Sequence, residues 1–225
     1  MIRATCLLLC LLIAVGPGAL AADDTIWSLK KALKQMDKAA KDAGPLRADV
    51  HYRTTDPAAA INGQGTMFFR GDGSARVDIP GDNPAIAYWL YAYLVVYNLN
   101  LKRLTTVNFY TNPQVLAQYA MIGFSPAGSA MKKAYDISLK RDEILDDEPV
   151  LFFVLIPKDK ELKKTISMIR LWISLETWMP AKQEVLHVSK NLKLTVRFTN
   201  LEQDEARAPS FFRPDVPAGT ERVTP

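Results

Sequence analysis

Leu192-Lys-Leu-Thr-Val-Arg-Phe198 decides the fold class, because its four apolar residues alternate with lysine, threonine and arginine without a miss. Period-two alternation puts every apolar side chain on one face of an extended strand. The stretch is therefore a strand of a half-buried sheet. The same reading repeats outward from it. Leu46, Ala48, Val50 and Tyr52 alternate with Arg47, Asp49, His51 and Arg53. Thr66–Arg70 and Ala75–Ile79 flank Gly71-Asp72-Gly73, a turn signal. Leu151-Phe-Phe-Val-Leu-Ile-Pro157 and Ile169-Arg-Leu-Trp-Ile-Ser174 are more continuously apolar, and strands on both sides of Thr177–Pro180 are expected. From Ile86 to Phe109 the chain reads as two strands joined by a turn. Asn98, Asn100, Lys102 and Arg103 interrupt it before the roughly twenty apolar residues that a membrane-spanning helix needs. Tyr135–Leu139 is a further strand, and Asp142–Glu148 reads as an acidic turn.

Helical signals are fewer. Ile26, Leu29, Leu33 and Met36 fall at helical spacing over Asp23–Asp42, with Asp23 or Asp24 as cap and Gly44-Pro45 as the stop. Asn112-Pro113 opens a short helix to Ala120, and 123–128 reads as a loop. Strand signals about every ten residues plus an amino-terminal helix give an α+β chain dominated by an antiparallel sheet.

Residues 1–21 read as a secretory signal: Arg3, an apolar centre from Leu7 to Val15, and the small-x-small pattern Ala19-Leu20-Ala21. The expected mature chain is a single domain over 22–225, since no Pro/Gly/Ser-rich linker or internal repeat divides it. Both cysteines, Cys6 and Cys10, lie in the leader, which removes disulfides, thiolate metal sites and cysteine nucleophiles from consideration. The balance of 28 Lys+Arg against 24 Asp+Glu is mild, and the run Lys30, Lys31, Lys34, Lys38 and Lys41 is broken by Asp37 and Asp42. It reads as the solvated face of an amphipathic helix, and no nucleic-acid partner is expected.

Catalytic patterns are poor. His51 and His187 each stand alone in a strand, and nothing matches a zinc-binding spacing. The cluster Asp142, Glu143, Asp146, Asp147 and Glu148 lacks the glycine and ligand spacing of a calcium loop. No serine sits in a nucleophile elbow. We therefore expect no catalytic residue, no metal and no cofactor; an enzyme would need polar groups such as His51 or Glu184 to converge in a cavity. The positive signal is apolar. Phe68, Trp89, Tyr91, Phe152, Met168 and Trp172 are candidates to line a cavity that holds acyl chains, although strand parity does not say which face each takes. Each buried methylene contributes about 0.8 kcal/mol, so lipid tails supply ample driving force.

In order along the chain, several elements resemble a known family. Gly63–Arg70 fits Gly-x-Gly-x-hydrophobic-x-x-Arg, and a strand ends at Pro80. Leu94-Val-Val-Tyr-Asn98, Asn112-Pro113 to Leu116 and Leu155-Ile-Pro157 follow. Thr177–Pro180, Arg197-Phe-Thr-Asn200 and Phe212-Arg-Pro214 through Gly219-Thr220 complete the series. The chain thus resembles the periplasmic lipoprotein carriers called LolA and the wider LolA-like group. The resemblance implies an unclosed β-barrel, or strongly curved antiparallel sheet, with helices covering the opening. It implies a monomeric periplasmic carrier of an acylated lipoprotein, loaded by an inner-membrane transporter and unloaded to an outer-membrane acceptor. It also implies that Arg70 clamps the helical lid through backbone carbonyls. A carrier of a glycolipid or other lipid, and a lipid-sensing regulatory domain on the same fold, are the alternatives. The family's proline after the arginine is Gly71 here.

Overall fold

The computed structural model describes residues 27–55, 62–90, 92–109, 111, 119–125, 128–188 and 192–224. The leader, Tyr91 and the 112–116 motif lie outside the described residues. The strands are β1 Leu46–Thr54, β2 Asn62–Phe69, β3 Ala75–Ile79, β4 Ala85–Leu90, β5 Tyr93–Asn98 and β6 Arg103–Asn108. They continue with β7 Tyr135–Leu145, β8 Glu148–Pro157, β9 Ile166–Ser174, β10 Pro180–His187, β11 Lys193–Gln203 and β12 Glu221–Val223. These twelve strands of the described residues form one open sheet in the order β12-β6-β5-β4-β3-β2-β1-β11-β10-β9-β8-β7. Every neighbouring pair is antiparallel except β12 on β6, which is parallel and makes the sheet mixed. Helices α1 Leu29–Asp42 and α2 Gly128–Ala134 complete the α+β architecture.

Local chemistry explains the element ends. Ser28 caps α1, its Oγ accepting from the Lys31 amide at 3.3 Å; the expected caps Asp23 and Asp24 lie outside the described residues. The acidic stretch after Leu139 is mostly strand. Only Asp146 and Asp147 turn, at φ 52° and 66°, the two left-handed residues of a tight hairpin. The helix α2 occupies part of what reads as a loop, and one region from Ile86 to Phe109 holds three strands where two were expected.

The core lies between one face of the sheet and the helices. On this inner face Ala48, Met67, Phe69, Leu151, Phe153, Ile169 and Leu171 are buried, and α1 inserts Ala32, Leu33, Met36 and Ala40 among them. The opposite, outer face carries two smaller apolar clusters, one around Tyr88, Val95, Tyr97 and Leu104, the other around Val150, Trp172 and Ala181.

The carboxyl tail straps the first of these. Phe211 packs edge-on to Phe68 with centroids 5.2 Å apart, and Phe212 is buried. The guanidinium of Arg76 lies 4.2 Å from the Phe211 ring centroid, and that of Arg207 lies 4.4 Å from the Phe68 centroid. Val216 then reaches the Tyr88 cluster.

Candidate functional site

The inner faces of six neighbouring strands converge on a cavity of about 360 Å³. β1 contributes Val50 and Tyr52, β2 contributes Met67, and β3 contributes Val77 and Ile79. β4 gives Ala87 and Trp89, β5 gives Leu94 and Val96, and β11 gives Leu194, Val196 and Phe198. Ala120 and Met121 close one side. Every lining side chain is aliphatic, aromatic or a methionine. Each strand residue occupies alternate positions of its strand, so the wall is the direct product of the period-two pattern. Among the described residues no carboxylate, histidine or cation belongs to this wall.

Two further residues shape it. Tyr52 lies over Gly63, where an added Cβ would come within 2.2 Å of the ring; any side chain at 63 would drive Tyr52 out of place. Burial pushes the Tyr52 hydroxyl above its ordinary pKa, so it stays neutral. Gln183 is fully buried on β10, and its Nε2 donates to the carbonyl of Ile122. That bond fixes the segment that brings Ala120 and Met121 to the cavity. Phe124 of the same segment is buried between Phe69 and Phe198. Gly123 there adopts φ +96° with Pro180 against it, a conformation that favours glycine. Neither Tyr52 nor Gln183 stood out in the sequence. The alternation of β1 placed Tyr52 among the apolar residues, but no local pattern marks a polar residue as buried.

The six candidate residues are divided by parity. Trp89 lines the cavity. Phe68 does not: it faces outward beneath Phe211 and Arg207, because Met67 and Phe69 take the inner positions of β2. Phe152 and Trp172 also face outward, stacked at 4.8 Å, with Lys182 above the indole and Trp172 Nε1 donating to Glu143 at 2.7 Å. Met168 is half-buried outside the cavity wall, paired with Leu186 across β9 and β10. Tyr91 lies outside the described residues.

Arg70, expected to clamp the lid, sits on Asp72. Among the described residues its guanidinium is held by Asp72, two positions on, through Nε at 2.9 Å and through Nη2. Its ring neighbour is Phe212 of the tail, 5.7 Å away. A carboxylate beside an arginine outcompetes neutral carbonyls for its donors. Among the described residues a hydrogen bond to the covering segment comes from Gln183.

Two roomier clefts carry arginine side chains in their walls. One of about 500 Å³ lies between Arg70, Ser74 and the tail at Phe212 and Arg213; one of about 590 Å³ lies between Arg53, Gln64 and Arg197.

No family model matches the chain, and no curated protein matches it in sequence. Solved structures do match. A conserved protein from Thermus thermophilus superposes with a TM-score of 0.56 at 10% identity, covering 88% of this chain and 100% of its own. MucB superposes with a TM-score of 0.52 at 15% identity over 83% of this chain. The chain spans 62% of the MucB length. A LolA superfamily protein from Nitrosomonas europaea matches with a TM-score of 0.44 at 15% identity, covering 84% of this chain and 98% of that one. The likeness is one of fold. An open sheet with helices on one face agrees with the unclosed sheet that the order of motifs implied.

Proposed function

We propose that the chain is a lipid carrier of the extracytoplasmic space, which binds an acyl chain in the cavity between its inner sheet face and the 119–125 segment. The observation that carries this reading is the wholly apolar wall. At roughly 30 Å³ per methylene, close to the share of one liquid water, about 360 Å³ takes about twelve methylenes. Their burial offers on the order of 10 kcal/mol before the costs of binding. The leader at 1–21 supports export to the periplasm, and the motif order supports an acylated lipoprotein or a related lipid as cargo. In this reading an inner-membrane transporter loads the protein and an outer-membrane acceptor unloads it. No reaction is needed.

A fluorescent fatty-acid analogue should bind saturably and be displaced by a diacylated lipopeptide. The same peptide without its acyl groups should not compete. Equal competition by both peptides would show that the peptide, and not the lipid, is recognised.

A further inference from the structure

The chain's net charge of +4 is not spread over the molecule. α1 and α2 hold seven lysines against two aspartates; the remainder holds 21 basic against 22 acidic residues. Lys30, Lys34, Lys38 and Lys41 recur at intervals of four, four and three, which puts them in one stripe with Lys31 at its flank. The stripe is about 16 Å long at 1.5 Å per residue. It lies opposite Ala32, Leu33, Met36 and Ala40, which anchor the helix in the core. All five lysines are exposed, as are Lys132 and Lys133 of α2.

Asp37 interrupts this run in the sequence but not in the fold. Its carboxylate is half-buried and accepts from the Gly128 amide at 2.6 Å, so it joins α1 to α2 and leaves the lysine face. None of the seven lysine ammonium groups pairs with a carboxylate among the described residues.

We infer that this helical face is a docking surface for an anionic phospholipid bilayer. Four to eight cations on an amphipathic helix suit the diffuse negative potential of such a surface. Lysine also favours a bilayer over an acidic protein. Seven flexible point charges fit a delocalised field, whereas directed recognition of carboxylates draws on the planar fork of arginine, and neither helix carries one. Because the apolar side of α1 is already committed to the core, binding is electrostatic and reversible, and strongly sensitive to salt. The proposal does not depend on what the cavity holds.

The test is co-sedimentation of the mature protein with vesicles of phosphatidylcholine containing about one-third phosphatidylglycerol, at about 50 mM and about 500 mM salt. The protein should bind at low salt, release at high salt, and ignore pure phosphatidylcholine. The triple variant Lys30→Glu, Lys34→Glu, Lys38→Glu should bind at least tenfold more weakly while keeping its fatty-acid affinity and its melting temperature. The Lys→Gln triple at the same positions covers any folding defect of the charge reversal, and should bind several-fold more weakly. Unchanged vesicle binding in a folded triple variant overturns the inference. So does wild-type protein that binds a polyglutamate chain but not the anionic vesicles, which would reassign the face to an acidic polypeptide.

Discussion

Glu184 shows how a single outer-face residue is held by its surroundings. Its side chain is 8% exposed, and Lys182, Arg170 and Lys193 approach it at 3.0, 3.3 and 3.5 Å. Burial alone would raise its pKa, but the hydrogen bond and charge of Lys182, with Lys193 and Arg170 behind, hold it below the usual carboxylate range. A carboxylate with a depressed folded pKa stabilises the protein above its unfolded pKa of about 4.3, and that contribution is lost as pH falls through the folded value. Glu184→Gln should therefore destabilise the protein near neutral pH, with the gap to wild type closing as pH falls below the unfolded pKa of about 4.3. Chemical denaturation at several pH values measures this, and a gap independent of pH would refute the charge account. Arg70 behaves differently. Its pair with Asp72 is partly exposed, at 32% and 44%, so Arg70→Leu should shift stability by less than about 1 kcal/mol and leave fatty-acid affinity unchanged. Gln183→Leu should cost more, about 1–3 kcal/mol, because the Ile122 carbonyl loses its buried donor. Equal effects of the two substitutions would return the fastening of the covering segment to Arg70.

At the scale of elements, the strands were legible because alternation is local. β1, β3 and β11 fall where the pattern puts them, and Leu192-Lys-Leu-Thr-Val-Arg-Phe198 delivers three of the cavity's lining residues. What alternation cannot say is which of two apolar sets faces the core. Phe68 and Phe69 are adjacent phenylalanines, and the tail, more than 130 residues away in sequence, is what half-covers the outer one. Phe152 likewise takes the outer face, stacked beside its cross-strand partner Trp172. Short α2, with Met131 as its buried apolar anchor, lacks enough turns to show a helical period. The strap itself is testable. Phe211→Ala removes a ring sandwiched by Phe68, Arg76 and Arg207, and should lower stability by about 2 kcal/mol without weakening fatty-acid binding. A loss of binding would mean that the tail shapes the cavity through the sheet.

The whole molecule separates its tasks by face. The inner face supplies an apolar wall, the outer face is closed by charge and by the aromatic strap, and the helical layer concentrates the positive charge. The central claim is that an acyl chain occupies the space beside Trp89. Of the four tryptophans, Trp89 lines the cavity, while Trp27 packs on Trp178 and Trp172 faces outward on Phe152. The most direct measurement is titration of tryptophan emission with a brominated fatty acid, in wild type and in Trp89→Phe. The account predicts saturable quenching in wild type, and its near-complete loss in Trp89→Phe even though a separate radiolabelled fatty acid still binds within about threefold, as a conservative apolar exchange allows. Quenching of equal depth in both proteins, or none in either, would contradict it.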